Sequence, residues 1–211
     1  MRHAKTICFG LLTIYTLALL YAELRFSQDY VRNFFTDIVG PVPLYGVNTT
    51  LSAALLWAIA LAFGINRMFV EKEEGRERAR PFYTSQIPVF LYLGVDDRFR
   101  LHEWTDHRVP YGEILVLVAV AVVEAFLLIY LGELKNRSKR VRLYVCVGAV
   151  LSAVMMFIDF FLPYELVLRL SCEDLSKIWA EVFLFLFALE ICKTHIAQLK
   201  SRTTPGTVEP R

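Results

Sequence analysis

From Tyr111 to Gly132 the chain carries only two charges, Glu113 and Glu124, in a run of valine, leucine, alanine and aromatic residues. About twenty apolar residues are what an α-helix needs to cross a hydrocarbon core about 30 Å thick. Comparable runs recur over residues 6–23, 48–69, 141–162 and 175–198, with a more polar one over 82–104. With 56% of the chain hydrophobic, this is more apolar surface than a soluble domain of this length needs for a core. The pattern predicts an all-α fold: a polytopic membrane bundle of six transmembrane helices in one domain over residues 1–200, with a disordered tail over 201–211. A multi-pass protein of the cell (inner) membrane is expected, with the lipid bilayer as its first partner.

The same residues exclude several classes. A formal charge of +2 leaves nothing to attract nucleic acid or another polyanion. Cys8, Cys146, Cys172 and Cys192 form no CxxC and no finger spacing, so neither a disulfide framework nor a zinc ribbon is indicated.

Arg2, His3 and Lys5 precede the first apolar run, as in a signal peptide. Leu20 stands three before Ala22, where cleavage wants a small residue, so the run reads as an uncleaved span. Phe26, Tyr30, Phe34 and Ile38 then recur every fourth residue, which places them on one face of an interfacial helix ended by Gly40-Pro41-Val42-Pro43. Asn48-Thr49-Thr50 supplies N-cap chemistry for the second span. Glu71–Arg80 is a mixed-charge linker.

Topology turns on the third run. Its uncharged part, Phe82–Val95, covers roughly 21 Å of the core, short by about six residues. If the helix spans, the basic loop with Lys135, Arg137, Lys139, Arg140 and Arg142 shares a side with the N-terminus and the Arg67–Arg80 linker. If it does not, that loop lands outside, against the positive-inside bias. Six spans with both termini cytoplasmic is the reading that follows.

That orientation carries Asp96, Asp97, Arg98, Arg100, His102 and Glu103 to the extracytoplasmic end of their helix at membrane depth. Intramembrane ionisable residues are costly and usually mark functional cavities. The same leaflet receives Glu23, Glu113, Asp159, Glu173, Asp174 and Glu181 from other spans. Asp96, His102 and Glu103 are candidate metal ligands, but one helix cannot close them around a single ion. Asp159 and Glu181 are the best-placed additions by depth. Such a His-plus-carboxylate set suits a divalent transition metal (zinc, iron or manganese). Metal-bound water would be the nucleophile and Asp97 or Glu103 the catalytic acid–base group. Against this stands a purely structural ladder: Asp96–Arg100 and Arg100–Glu103 are i,i+4 and i,i+3 pairs of opposite charge. Glu124 lies near mid-membrane with no basic residue within a turn, which suits a proton relay or an interhelical hydrogen bond. Glu190 has Lys193 at i+3, a structural pair.

Gly94-Val95-Asp96-Asp97, four residues, then His102-Glu103 resembles the (S)-L-D-E-x4-H-E pattern of uncharacterised bacterial multi-pass membrane proteins. There the motif also closes an apolar helix, and glutamates follow on a later helix, for which Glu181 is the counterpart. Asp97 stands where the pattern has Glu, and Gly94 where it has Ser. The resemblance covers about ten residues and implies a membrane bundle without a known activity. A fainter similarity to the Asp-containing helix of alkaline-ceramidase-like hydrolases stops at their HxxxH, which this chain lacks. Two function classes remain. One is a metal-dependent membrane-embedded hydrolase acting on a lipid-like substrate. The other is a non-enzymatic protein, either an assembly module with structural ladders or a proton- or ion-coupled transporter.

Overall fold

The computed structural model describes residues 2–35, 46–71, 79–99, 101, 112–132, 134 and 137–203. Among them the chain is all-helical, without strands. The helices are α1 (Arg2–Arg25), α2 (Gln28–Phe35), α3 (Val47–Glu71), α4 (Arg80–Phe99), α5 (Gly112–Phe126), α6 (Lys139–Phe161) and α7 (Arg169–Thr203). A π-helical turn, Leu127–Leu131, extends α5, and Gly132 N–H reaches back five residues to the Leu127 carbonyl at 3.0 Å. Four stretches are long and apolar enough to cross a membrane: Lys5–Arg25, Val47–Val70, Ile114–Leu131 and Lys139–Phe161. The helices α4 and α7 are not among these four, and the candidate site below is built from their polar residues.

Local chemistry explains the helix starts. Ser27 Oγ accepts from Tyr30 N–H at 3.1 Å and caps α2; Ser138 Oγ accepts from Val141 N–H at 3.3 Å and caps α6. Phe26, Tyr30 and Phe34 line up in contact along one face, tilted and then edge-on, at 4.7 and 5.9 Å between centroids, as their spacing predicts; Ile38 and Gly40–Pro43 lie outside the described residues. The start of α3 departs from expectation. Gly46, at φ 63°, turns the chain into the helix, and Thr50 Oγ1 donates to its carbonyl at 2.9 Å. Asn48 instead points inward, where its Oδ1 accepts from the Tyr15 hydroxyl.

The cap of α7 comes from another helix. Glu23, near the end of α1, accepts from Leu168 N–H at 2.9 Å, from Ser171 N–H at 3.1 Å and from the Ser171 hydroxyl. A carboxylate on exposed helix donors is favoured by the dipole as well as by the hydrogen bonds. Leu168 itself has φ 67°, a strained left-handed conformation for a branched side chain, and Glu23 holds it there.

The six long helices alternate in direction. Along α7, Ser171 meets Glu23, Trp179 Nε1 donates to Thr16 Oγ1 at 3.0 Å and Glu190 faces Lys5, so α1 runs antiparallel to it. Glu181 meets Ser52 and the Ala188 carbonyl accepts from Asn66 Nδ2 at 3.1 Å, so α3 runs parallel. The reversal repeats between α3 and α4 (Gly94 against Trp57, Phe82 against Phe63) and between α6 and α7 (Gly148 against Leu184, Asp159 against Arg169). A Cβ at Gly148 would sit 2.9 Å from Leu184 Cγ, so glycine allows that close approach. Phe63, fully buried on α3, centres the core among Phe82, Tyr83, Phe90 and Phe187.

Alternation sorts the charges. One end carries Lys5, Arg67, Arg80, Arg137, Lys139 and Lys193 with Glu190; the other carries Glu23, Asp96, Asp97, Asp159, Glu173, Asp174 and Glu181 together with Arg25, Arg32, Arg98, Arg169 and Lys177.

Candidate functional site

The acidic end of the bundle is assembled by the last turns of α4 and the first half of α7. Gly94 admits the Trp57 indole of α3 into the space a Cβ would occupy, so a side chain there would displace the ring. The two aspartates that follow are both buried, Asp96 at 3% and Asp97 at 8% exposure. Lys177 of α7 reaches across to Asp97 Oδ1 in an ion pair. Asp96 and Glu181 both lie within electrostatic range of the same ammonium. Glu181, 4% exposed, accepts from the Ser52 hydroxyl of α3 through one oxygen.

Register explains why Lys177 crosses between helices. Glu173, Lys177 and Glu181 are spaced i,i+4 along α7, so an in-helix ladder is available. Arg169 takes Glu173 out of it, however, at 3.1 Å. Arg169 also binds Asp159 at 3.1 Å and donates to the carbonyls of Asp159 and Leu162 at 2.7 and 3.3 Å, closing the α6–α7 connection. Lys177 thus stands beside Asp97 and Glu181, with Asp96 also within its electrostatic range. Asp97 Oδ2 and Glu181 Oε2 are buried and accept no hydrogen bond among the described residues.

Of the residues expected to share a site, Asp96, Asp97 and Glu181 are thus brought together around Lys177. Asp159 belongs to the neighbouring Arg169–Glu173 group. His102 and Glu103 lie outside the described residues. Among the described residues no three histidine, cysteine or acidic side chains are arranged to hold a metal ion. Sequence reasoning missed Lys177 and Ser52. Lys177 had a signal: it is the one cation between Arg169 and Lys193 in an otherwise apolar run with acids a turn away on either side. Ser52 had none.

The other two carboxylates behave as their surroundings predict. Glu124 sits at a helix–helix contact, half-buried, accepting from Gln86 Nε2 of α4 at 3.0 Å. Glu190 accepts from Lys193 at 2.9 Å and faces Lys5 at 3.7 Å.

Residues 7–191 match the model of a family described as Domain of unknown function (DUF8692). No curated protein and no solved structure matches the chain.

Proposed function

We propose that this chain, which belongs to the DUF8692 family, is an integral membrane protein of six spans with both termini in the cytoplasm. Its acidic end takes up a cation from the extracytoplasmic side in competition with its own Lys177. The alternating helices and the excess of Lys and Arg at one end support the topology through the positive-inside bias. A membrane-impermeant maleimide checks it in a cysteine-free background: Ser138→Cys reacts only from the cytoplasmic face, and labelling from outside would overturn the assignment.

The observation that carries the cation reading is Lys177 set between Asp97 and Glu181 on facing helices, each with one buried oxygen that accepts no hydrogen bond among the described residues. Buried charge without a partner is expensive. A second positive charge, either a proton or a small metal ion, relieves it, and its release restores the Lys177 pair. Two charge states on facing helices suit ion-coupled transport. The hydrolase reading asks for more, because Asp97 must exchange Lys177 and Asp159 must exchange Arg169 before either can serve a metal.

The test is the cation response of purified Lys177→Met protein. With the internal competitor removed, its stability rises with added sodium, manganese or zinc, or with falling pH. A hundredfold excess over the dissociation constant gives about 2.7 kcal/mol. The separate additions identify which cation acts. Adding Glu181→Gln weakens the response. A Lys177→Met protein indifferent to every metal ion and to pH sinks the reading. Stoichiometric metal in the wild-type protein, lost on His102→Ala, moves it to the hydrolase.

A further inference from the structure

The most apolar of the four candidate spans, Ile114–Leu131, holds one acid in its interior. Glu124 stands about 10 Å from one end of that stretch and about 15 Å from the other. Gln86 of α4 is fully buried, and its Nε2 donates to Glu124 Oε2 at 3.0 Å. Gln86 Oε1 is buried as well and accepts nothing among the described residues.

Among the described residues no charged side chain comes within electrostatic reach of Glu124. Its own helix sets Val120, Ala121, Leu127 and Leu128 three and four residues away, and α4 brings Gln86. A groove of about 320 Å³ between the same two helices, lined by Pro88, Val89, Tyr92, Ala119, Val120 and Val123, adds no charge. Ahead of its π turn, α5 scarcely approaches another helix among the described residues, and no residue of the span is fully buried. Glu124, half-buried, is therefore open on one side to whatever surrounds the bundle, which at this depth of a span is hydrocarbon.

An ionised Glu124 suits none of this. A carboxylate only accepts, so it leaves Gln86 Oε1 without a donor, and it sets an unpaired charge beside acyl chains at a cost of a few kcal/mol. A carboxylic acid removes both difficulties, because its O–H is the donor that Oε1 lacks while its other oxygen accepts from Nε2. We infer that Glu124 is a proton-binding site, carried as the neutral acid and closed with Gln86 into a ring of two hydrogen bonds that fastens α5 to α4. The site lies apart from the Lys177 cluster and rests on the proposed function only for α5 crossing the bilayer. A proton taken from water turns the carboxylate into the acid and completes the ring. Its loss removes the O–H donor and returns a charge to the hydrocarbon. Proton and helix contact are gained and lost together.

Dicyclohexylcarbodiimide, which is lipid-soluble and adds to the acid form of a carboxyl group, tests this on the full chain in phosphatidylcholine vesicles, the labelled peptide being located by mass spectrometry. Between about pH 5 and about pH 7.3 an ordinary glutamate loses its acid form about 170-fold. The labelling rate of Glu124 is expected to fall less than about tenfold over that interval, and a greater fall overturns the inference. The infrared carbonyl band lost in Glu124→Gln reads the ring. It is expected at lower wavenumber in the wild type than in Gln86→Leu, or than in Gln86→Met should the first variant fail to fold, and an unmoved band overturns the ring. Equally fast labelling by a water-soluble carbodiimide places α5 in water and sinks the span together with this inference. Labelling by the lipid-soluble reagent alone, with the ordinary loss on raising the pH, sinks this inference and leaves the span.

Discussion

Lys177→Met destabilises the purified protein by about 3 kcal/mol, more than any single change to the acids around it, because Asp97 and Glu181 lose the ammonium that lies between them. Breaking a buried pair from one side costs about 3–5 kcal/mol, since the remaining charge keeps its desolvation penalty. The lower figure applies because 28% of the Lys177 side chain stays exposed. Asp97→Asn costs about 1 kcal/mol: the ammonium loses its closest partner but keeps Asp96 and Glu181 within range. The double variant then unfolds later than Lys177→Met, because one of the stranded carboxylates is gone. Chemical denaturation of the four proteins in detergent closes the double-mutant cycle. Equal losses from the two single changes would mean that Lys177 and Asp97 are an isolated pair and that Asp96 and Glu181 play no part.

Glu23→Ala lowers stability by about 2 kcal/mol, although Glu23 touches no other charged side chain at hydrogen-bond distance among the described residues. Its carboxylate satisfies the donors of Leu168 and Ser171, and a helix cap alone contributes about 1 kcal/mol. The strained backbone at Leu168 and the burial of Glu23, at 4% exposure, bring the loss to the upper part of that range. Glu23→Gln keeps one acceptor oxygen and loses about half as much. Thermal unfolding of the three proteins reads this directly. A loss below about 0.5 kcal/mol in Glu23→Ala would show that water caps α7 equally well.

The fold and the candidate site differ in how far they can be read from sequence. Apolar runs locate the long helices, since burial and length act on contiguous residues. The limits move mainly where polar residues extend a helix past its apolar part, as in α7, which runs from Arg169 to Thr203 against an expected 175–198. The burial of Asp96 and Asp97 follows from the short apolar run before them. Their partner does not, because Lys177 lies eighty positions away from Asp97, and what brings them together is the packing of α4 and α7 on the same helix, α3. Local spacing actively misleads here, since Glu173–Lys177–Glu181 reads as a ladder within one helix until Arg169 is seen to occupy Glu173. Asn48 fails in the same way. Its place at a helix start suggests a cap, and only the fold reveals Tyr15 opposite it. The buried contact of Tyr83 with His195 carries no pattern in either neighbourhood, and 112 positions separate the two.

The π-helical turn at Leu127–Leu131 has a consequence for insertions and deletions rather than for energy. It holds one residue more than an α-helical turn needs, and that surplus turns everything after it by about 100° relative to α5. Removing a residue there would leave a continuous α-helix with its backbone hydrogen bonds intact, so the chain would tolerate the loss as chemistry. Arg137 would nevertheless leave α5 in a different direction, away from the Tyr83 hydroxyl. Lineages that have lost that residue should therefore have lost the Arg137 contact with it, or moved the basic residue one place along the chain.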